Sequence, residues 1–258
     1  MMPRRRLWGS LSSEDIAEVI KNEKPVVILP VGSFEQHGPH LPVNTDTDIG
    51  WAIVQAAVER ASSSCLLLPP VWAGISAHHL GFCGTIAIRH ATLNRLVKDI
   101  LHSLSEHGVD KAILLNSHGG NQATLQTVIE ETAAERKIEA ILITYWNLVS
   151  AAVAENRRSA RGGISHACEL ETSLKLYLKP GEVKKERFAD HTLPGNEYFS
   201  PEMFAANKVS YPKPFDRLSA QGHIGNPTVA TAEFGKLIFE AAVKELCRVM
   251  AIFKEGRL

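Results

Sequence analysis

Glu35, His37, His40, Asp46 and Asp48 all fall in one stretch, Leu29 to Gly50, LPVGSFEQHGPHLPVNTDTDIG. If Glu35 and His37 continue a strand, the two-residue period points both side chains to one side, and Asp46 can return from the far end of the loop. Three mixed oxygen and nitrogen ligands then share one site. Carboxylate with imidazole suits Zn, Mn or Fe, whereas Ca and Mg prefer all-oxygen shells. The plainer alternative is a polar surface loop. Two further groups have the same character: His118 in Asn-Ser-His-Gly-Gly-Asn, and His166 with Glu169 in Ser-His-Ala-Cys-Glu-Leu-Glu-Thr-Ser. If the latter segment opens a helix, His166 and Glu169 lie three apart on one face and can present two ligands together, with Glu171 on a different side.

The elements that must position these groups alternate. A helix is predicted over 13–22, ended by Pro25, and the apolar run Val26 to Pro30 reads as a strand buried on both faces that delivers the first motif. Asp48 stands before Ile49, Ala52, Ile53 and Ala56 and reads as a helix N-cap. A strand at 65–68 follows, then a glycine-rich segment from Pro69 to His90 whose Ser76, His78 and His79 suit a pocket wall. The periodicity next gives a helix over 92–107 closed by Gly108, a strand at 111–115 ending at His118, a helix over 122–136 and a strand at 140–144. Strands alternating with helices predict a largely parallel sheet covered on both faces, with the ligand groups at its carboxyl edge. Residues 180–225 have no clear period and read as an irregular excursion over the site or towards another subunit. A long amphipathic helix, 230–253, closes one domain spanning 1–258.

Composition narrows the partners. Lys plus Arg and Asp plus Glu both number 28, so no global field recruits nucleic acid or an acidic membrane surface. A small-molecule partner is expected. Cys65, Cys83, Cys168 and Cys247 form no CxxC pair, which argues against a thiolate zinc site and a disulfide framework and fits a reducing, cytoplasmic setting. The basic start MMPRRRLWGS is not followed by an apolar signal core, and no apolar run is long enough to span a membrane. The glycines around His118 match neither GxGxxG nor GxxxxGK[ST], so nucleotide chemistry is not signalled.

Gly-Ser-Phe-Glu-Gln-His-Gly-Pro-His-Leu-Pro through Asp46, Asn-Ser-His-Gly-Gly-Asn around His118, and His-Ala-Cys-Glu-Leu-Glu-Thr-Ser from His166 together resemble the creatininase (creatinine amidohydrolase) family. Phe82 to Thr85 and Gly225 to Glu233 extend the resemblance over nearly the whole chain. It implies a three-layer α/β/α fold, a homo-oligomer such as a hexamer, two divalent metal ions (Zn, Mn or Fe) per chain, and hydrolysis of an amide-type C–N bond in a small cyclic or formylated substrate. Carried over by position, Glu35, Asp46 and His118 hold one metal and His37 with Asp46 holds the other. Two positions depart from creatininase proper: Gly120 replaces a glutamate that completes the second metal, and Gly162 replaces a tryptophan four residues before His166. Other branches share His-Gly-Gly-Asn, among them a formamide deformylase, a peptidase acting on a modified peptide and hydrolases of oxidised inositols.

Such a ligand set implies that a water activated between two cations attacks the carbonyl without a protein nucleophile. His166 is then the expected catalytic acid that protonates the leaving nitrogen. The second metal still needs a third ligand. On a helix running from His166, Glu169 lies roughly 60° away and Glu171 roughly 140° away, which favours Glu169 as that ligand and leaves Glu171 a supporting acid. A protein of another class, binding a metal or a nucleotide without catalysis, is the remaining alternative.

Overall fold

The computed structural model describes residues 6–258, so the basic run at 1–5 lies outside the described residues. Four strands form one fully parallel sheet, β1 (Val26–Val31), β2 (Cys65–Leu67), β3 (Lys111–Asn116) and β4 (Glu139–Thr144), in the order β2-β1-β3-β4. Every residue of β1 is buried, as a strand covered on both faces requires. Its side chains alternate between two cores: Val26 and Ile28 join Ile113 and Leu115 on one side, and Val27, Leu29 and Val31 join Ala112 and Leu114 on the other. Helices α1 (Ser13–Glu23), α3 (His90–Glu106) and α4 (Gln122–Glu135) cover the second core. The first lies under α2 (Thr45–Arg60), α5 (Tyr145–Leu148), α6 (Ser150–Asn156), α7 (Glu169–Leu178) and α8 (Ala232–Lys254). The expected three-layer α/β/α architecture is the one observed. Among the described residues no helix is long and apolar enough to cross a membrane.

Local signals explain most boundaries. Ser12 caps α1 reciprocally with Asp15, and Thr231 caps α8 by accepting from the Phe234 amide. At Gly235 an added Cβ would lie 1.8 Å from the Ser173 carbonyl oxygen, so glycine lets α8 sit directly on α7. Three expectations need correction. β1 stops at Val31, so Glu35 and His37 belong to the loop after it. Asp48 is not an N-cap: α2 starts at Thr45, and the Asp48 carboxylate instead pairs with the buried Lys175 at 2.6 Å and with Lys179 at 2.9 Å, tying α2 to α7. His166 does not open a helix. It ends a short strand, β5 (Ile164–His166), paired antiparallel with β6 (Ile224–Gly225), and α7 begins only at Glu169.

Candidate metal centre

The loop after β1, the first turn of α2, the loops after β2 and β3, the end of β5 and the first turn of α7 meet at the carboxyl edge of the sheet. They bring together seven side chains, Glu35, His37, Asp46, His79, His118, His166 and Glu171, all buried. Asp46 is central: its Oδ1 lies 3.2 Å from His37 Nε2 and its Oδ2 3.1 Å from His118 Nδ1. Glu35 reaches His118 Nε2 through Oε2 and His79 Nε2 through Oε1, each at 3.3 Å. Glu171 Oε1 lies 3.7 Å from His37 Nε2. The ligand atoms of Glu35, His37 and Asp46, and those of His37, His166 and Glu171, each fall within 4.8 Å of one another. Asp46 and Glu171 occupy first turns, where the helix dipole favours negative charge.

The hydrogen bonds fix which nitrogen of each ring faces inward. His37 Nδ1–H donates to the Glu35 carbonyl (3.1 Å), which leaves the Nε2 lone pair towards Asp46 and Glu171. His118 Nε2–H donates to the Ile75 carbonyl (3.0 Å), leaving Nδ1 towards Asp46. A backbone acceptor behind an imidazole is the usual support of a metal-ligating histidine. His79 is oriented the other way. Its Nδ1 accepts from the Gln36 side-chain amide at 2.7 Å, so its Nε2–H points at Glu35 and steadies that carboxylate. Ser76 Oγ donates to the other oxygen of Glu35 at 2.6 Å.

Buried carboxylates need a cationic counterpart. His37 Nε2 and Asp46 Oδ2 are buried with no hydrogen-bond partner, as expected where ligand atoms converge on an ion. Burial alone would lower the pKa values of His37 and His118. For His37 the carboxylates of Asp46 and Glu171 more than reverse this, and for His118 those of Glu35 and Asp46, so both rings are held well above the usual histidine range. Glu35 is the converse: burial raises its pKa, but His118, His79 and His166 bring it well below the usual carboxylate range. The donor set therefore fits divalent cations that take the place of these protons.

Glu169 lies elsewhere. Its carboxylate accepts from the amides of Arg158 (2.8 Å) and Ser159 (2.9 Å) and from the Ser159 hydroxyl (2.5 Å), so it anchors the segment before β5. The expectation that Glu169, with His166, forms the catalytic and metal-binding pair is corrected for a geometric reason. A helix starting at Glu169 imposes no 100° relation on His166, and the residue reaching the cluster is Glu171. Gln36 carries no signal of function in the sequence, and Ser76, His78 and His79 are legible there only as parts of a pocket wall.

Gly120 leaves no room for a carboxylate side chain. A Cβ there would lie 2.1 Å from the Ile75 carbonyl oxygen and 2.5 Å from His118 Nε2. Gly120→Glu is therefore expected to displace His118 rather than add a ligand, at a packing cost of about 1–3 kcal/mol. Metal content and thermal unfolding check this: less metal and a lower Tm are expected, whereas tighter binding of the second metal would contradict the geometry.

The centre opens into a cavity of about 290 Å³ lined by His78, Gly119, Gln122, Trp146, Met203 and Phe215, besides the cluster itself. Met203 and Phe215 come from the 180–225 excursion, which thus covers the site, and the Phe215 ring packs on His79 (centroids 4.0 Å) and His166 (4.9 Å).

Comparison with known proteins agrees with this geometry. The sequence profile of the creatininase family (creatinine amidohydrolase) matches residues 9–250. The mycofactocin precursor peptide peptidase of Mycolicibacterium smegmatis is 33% identical over 224 residues, covering 85% of this chain and 81% of that protein. The solved structure of a manganese creatininase superposes with a TM-score of 0.80 at 28% identity, covering 97% of this chain and 98% of that one. A mutant creatininase of "Zn-Zn type" gives 0.78 at 27%, covering 96% and 97%.

Proposed function

The chain belongs to the creatininase family and is a metal-dependent hydrolase of that family; from that premise we propose that it cleaves an amide C–N bond of a peptide rather than of a small cyclic amide. The observation that carries this reading is the bare, open backbone at Gly119, which lines the cavity. Gly119 is exposed, and no atom lies within 4 Å of where its Cβ would be. Glycine permits close backbone approach, so an extended peptide can lie along this wall. The cavity of about 290 Å³ is below the usual range for drug-sized ligands and suits the residues at the scissile bond, with the rest of the chain outside. The likeness to a peptidase of a precursor peptide supports the same choice.

Glu35, Asp46 and His118 would hold one divalent cation, and His37, Asp46 and Glu171 the other, with Asp46 shared. When bound, such a pair supplies Lewis acidity that readies a water at neutral pH and polarises the scissile carbonyl. His166 handles the proton. Its Nε2–H donates to the Gln36 carbonyl at 2.8 Å, leaving the Nδ1 lone pair towards the cavity, 3.6 Å from Glu35 Oε1. Burial, with His79 and His37 close by, holds its pKa well below the usual value. The ring is therefore neutral at pH 7, takes a proton at Nδ1 as the water attacks, and returns it to the leaving nitrogen. Phe215 shields that transfer from solvent.

A substrate panel tests the proposal: the Zn- or Mn-loaded enzyme is incubated with unblocked peptides, creatinine and formylated amines, and products are read by mass spectrometry. Peptide cleavage with kcat/KM at least about 100-fold above that for creatinine, on the order of 3 kcal/mol of transition-state discrimination, is expected. Creatinine turnover with intact peptides would overturn it. Gln36→Leu should separate positioning from ligation: both metals stay, while kcat falls roughly 10- to 100-fold as His79 loses its orienting amide. Unchanged kcat would remove Gln36 from the arrangement.

A further inference from the structure

His40 lies in the first motif, yet it does not face the metal cluster. It is fully buried, with its ring edge-on to Phe188 (centroids 5.4 Å, 84°) and to His223 (5.5 Å, 86°). Its Nε2 stands 3.0 Å from the Ala167 carbonyl oxygen and 3.1 Å from Thr172 Oγ1, and its Nδ1 has no partner. The Nε2–H therefore donates towards Ala167.

Ala167 is an unusual acceptor. Its φ is +51°, in the left-handed region that disfavours any residue with a Cβ. The other non-glycine residues with positive φ among the described residues, Lys24 and Arg136, are exposed helix C-caps. Ala167 instead is fully buried between His166, the last residue of β5, and Cys168, which precedes α7. The turn it makes decides how two groups meet. With it, the His166 ring lies 4.4 Å from the His37 ring, and Glu171, in the first turn of α7, lies 3.7 Å from His37 Nε2. Cys168 gives the start of α7 no side-chain cap; its thiol instead reaches Glu171 Oε2 at 3.8 Å, and Glu169 is held by the Arg158 and Ser159 amides.

We propose that His40 is a positioning residue: it clamps the left-handed turn at Ala167 and so fixes Glu171 and His166 against His37. The first motif thereby supplies one histidine that faces the metal and a second, three residues on, that holds the opposite wall in register. This rests on the reading of Glu171 as a metal ligand. No proton transfer is assigned to His40.

Four full-length variants test the clamp: His40→Leu, His40→Gln, the double variant His40→Leu/Ala167→Gly, and Glu171→Gln. The readouts are metal content after dialysis, titration calorimetry with Zn²⁺, and the visible spectrum of the Co²⁺-loaded protein. His40→Leu should bind the second metal roughly 10- to 100-fold more weakly, the range for groups that orient ligands, and its Co²⁺ spectrum should change. His40→Gln keeps a donor near the Nε2 position and should stay close to the wild type. The double variant should regain most of the loss, because glycine takes positive φ without help. A histidine that merely fills space would show neither the glutamine nor the glycine rescue. Wild-type metal affinity in folded His40→Leu, or a double variant as impaired as the single one, overturns the proposal. Should the leucine variant not fold, His40→Gln decides: folded with both metals it supports the clamp, and folded with the second metal lost it overturns it. If Glu171→Gln keeps both metals while His40→Leu loses one, the ligand reading has failed and the clamp has not.

Discussion

Glu171→Gln is expected to leave one metal ion per chain and to lower kcat by roughly 100- to 1,000-fold, the scale on which single electrostatic contributors act in active sites. The glutamine is nearly isosteric but brings a weaker, neutral donor to a position 3.7 Å from His37 Nε2. The second cation would then keep only His37 and Asp46, too few protein ligands for a stable site. Glu169→Gln is the informative contrast. Its carboxylate receives two backbone amides and the Ser159 hydroxyl, and a glutamine turns one acceptor into a donor facing donors. The expected result is a loss of about 1–3 kcal/mol of stability, seen as a Tm lower by several degrees, with both metals retained. Metal analysis of the two purified variants checks this. Metal loss in Glu169→Gln together with full occupancy in Glu171→Gln would refute the assignment.

Asp46→Asn should have the larger effect, because one carboxylate serves both positions. Its oxygens approach His37 and His118 separately, at 3.2 and 3.1 Å. Removing its charge weakens both cation sites at once and leaves Glu35 and Glu171 as the remaining negative groups. Occupancy is expected to fall at both positions together, and turnover by about 1,000-fold or more, towards the background left by binding alone. Elemental analysis at graded free Zn²⁺ makes the check quantitative. A variant that loses one metal and holds the other with wild-type affinity would show that Asp46 belongs to a single site.

The alternation of buried apolar runs with amphipathic helices made the parallel sheet and its two helical layers legible, because β1 and β3 are buried on both faces and carry little but aliphatic side chains. Five of the seven clustered side chains, Glu35, His37, Asp46, His118 and His166, stood out by type and place. Glu171 was weighed and set aside. Its misreading traces to one backbone feature: the left-handed turn at Ala167 separates His166 from the helix, and an alanine gives no sign of positive φ in the way a glycine would. Asp48 misled for a related reason, since an acid near a helix start reads as a cap until its partner Lys175, distant in sequence, is seen. His79 and Gln36 depend on contacts across 43 residues of chain, and no local pattern encodes those.

The most direct test of the binuclear assignment is a crystal structure of the Zn-loaded enzyme with anomalous data collected above and below the zinc absorption edge. The expected result is two zinc peaks in each chain, one within bonding distance of Glu35, Asp46 and His118 and the other within bonding distance of His37, Asp46 and Glu171. A single peak, or a second peak bound by Glu169 or by His79 and His166, would contradict it.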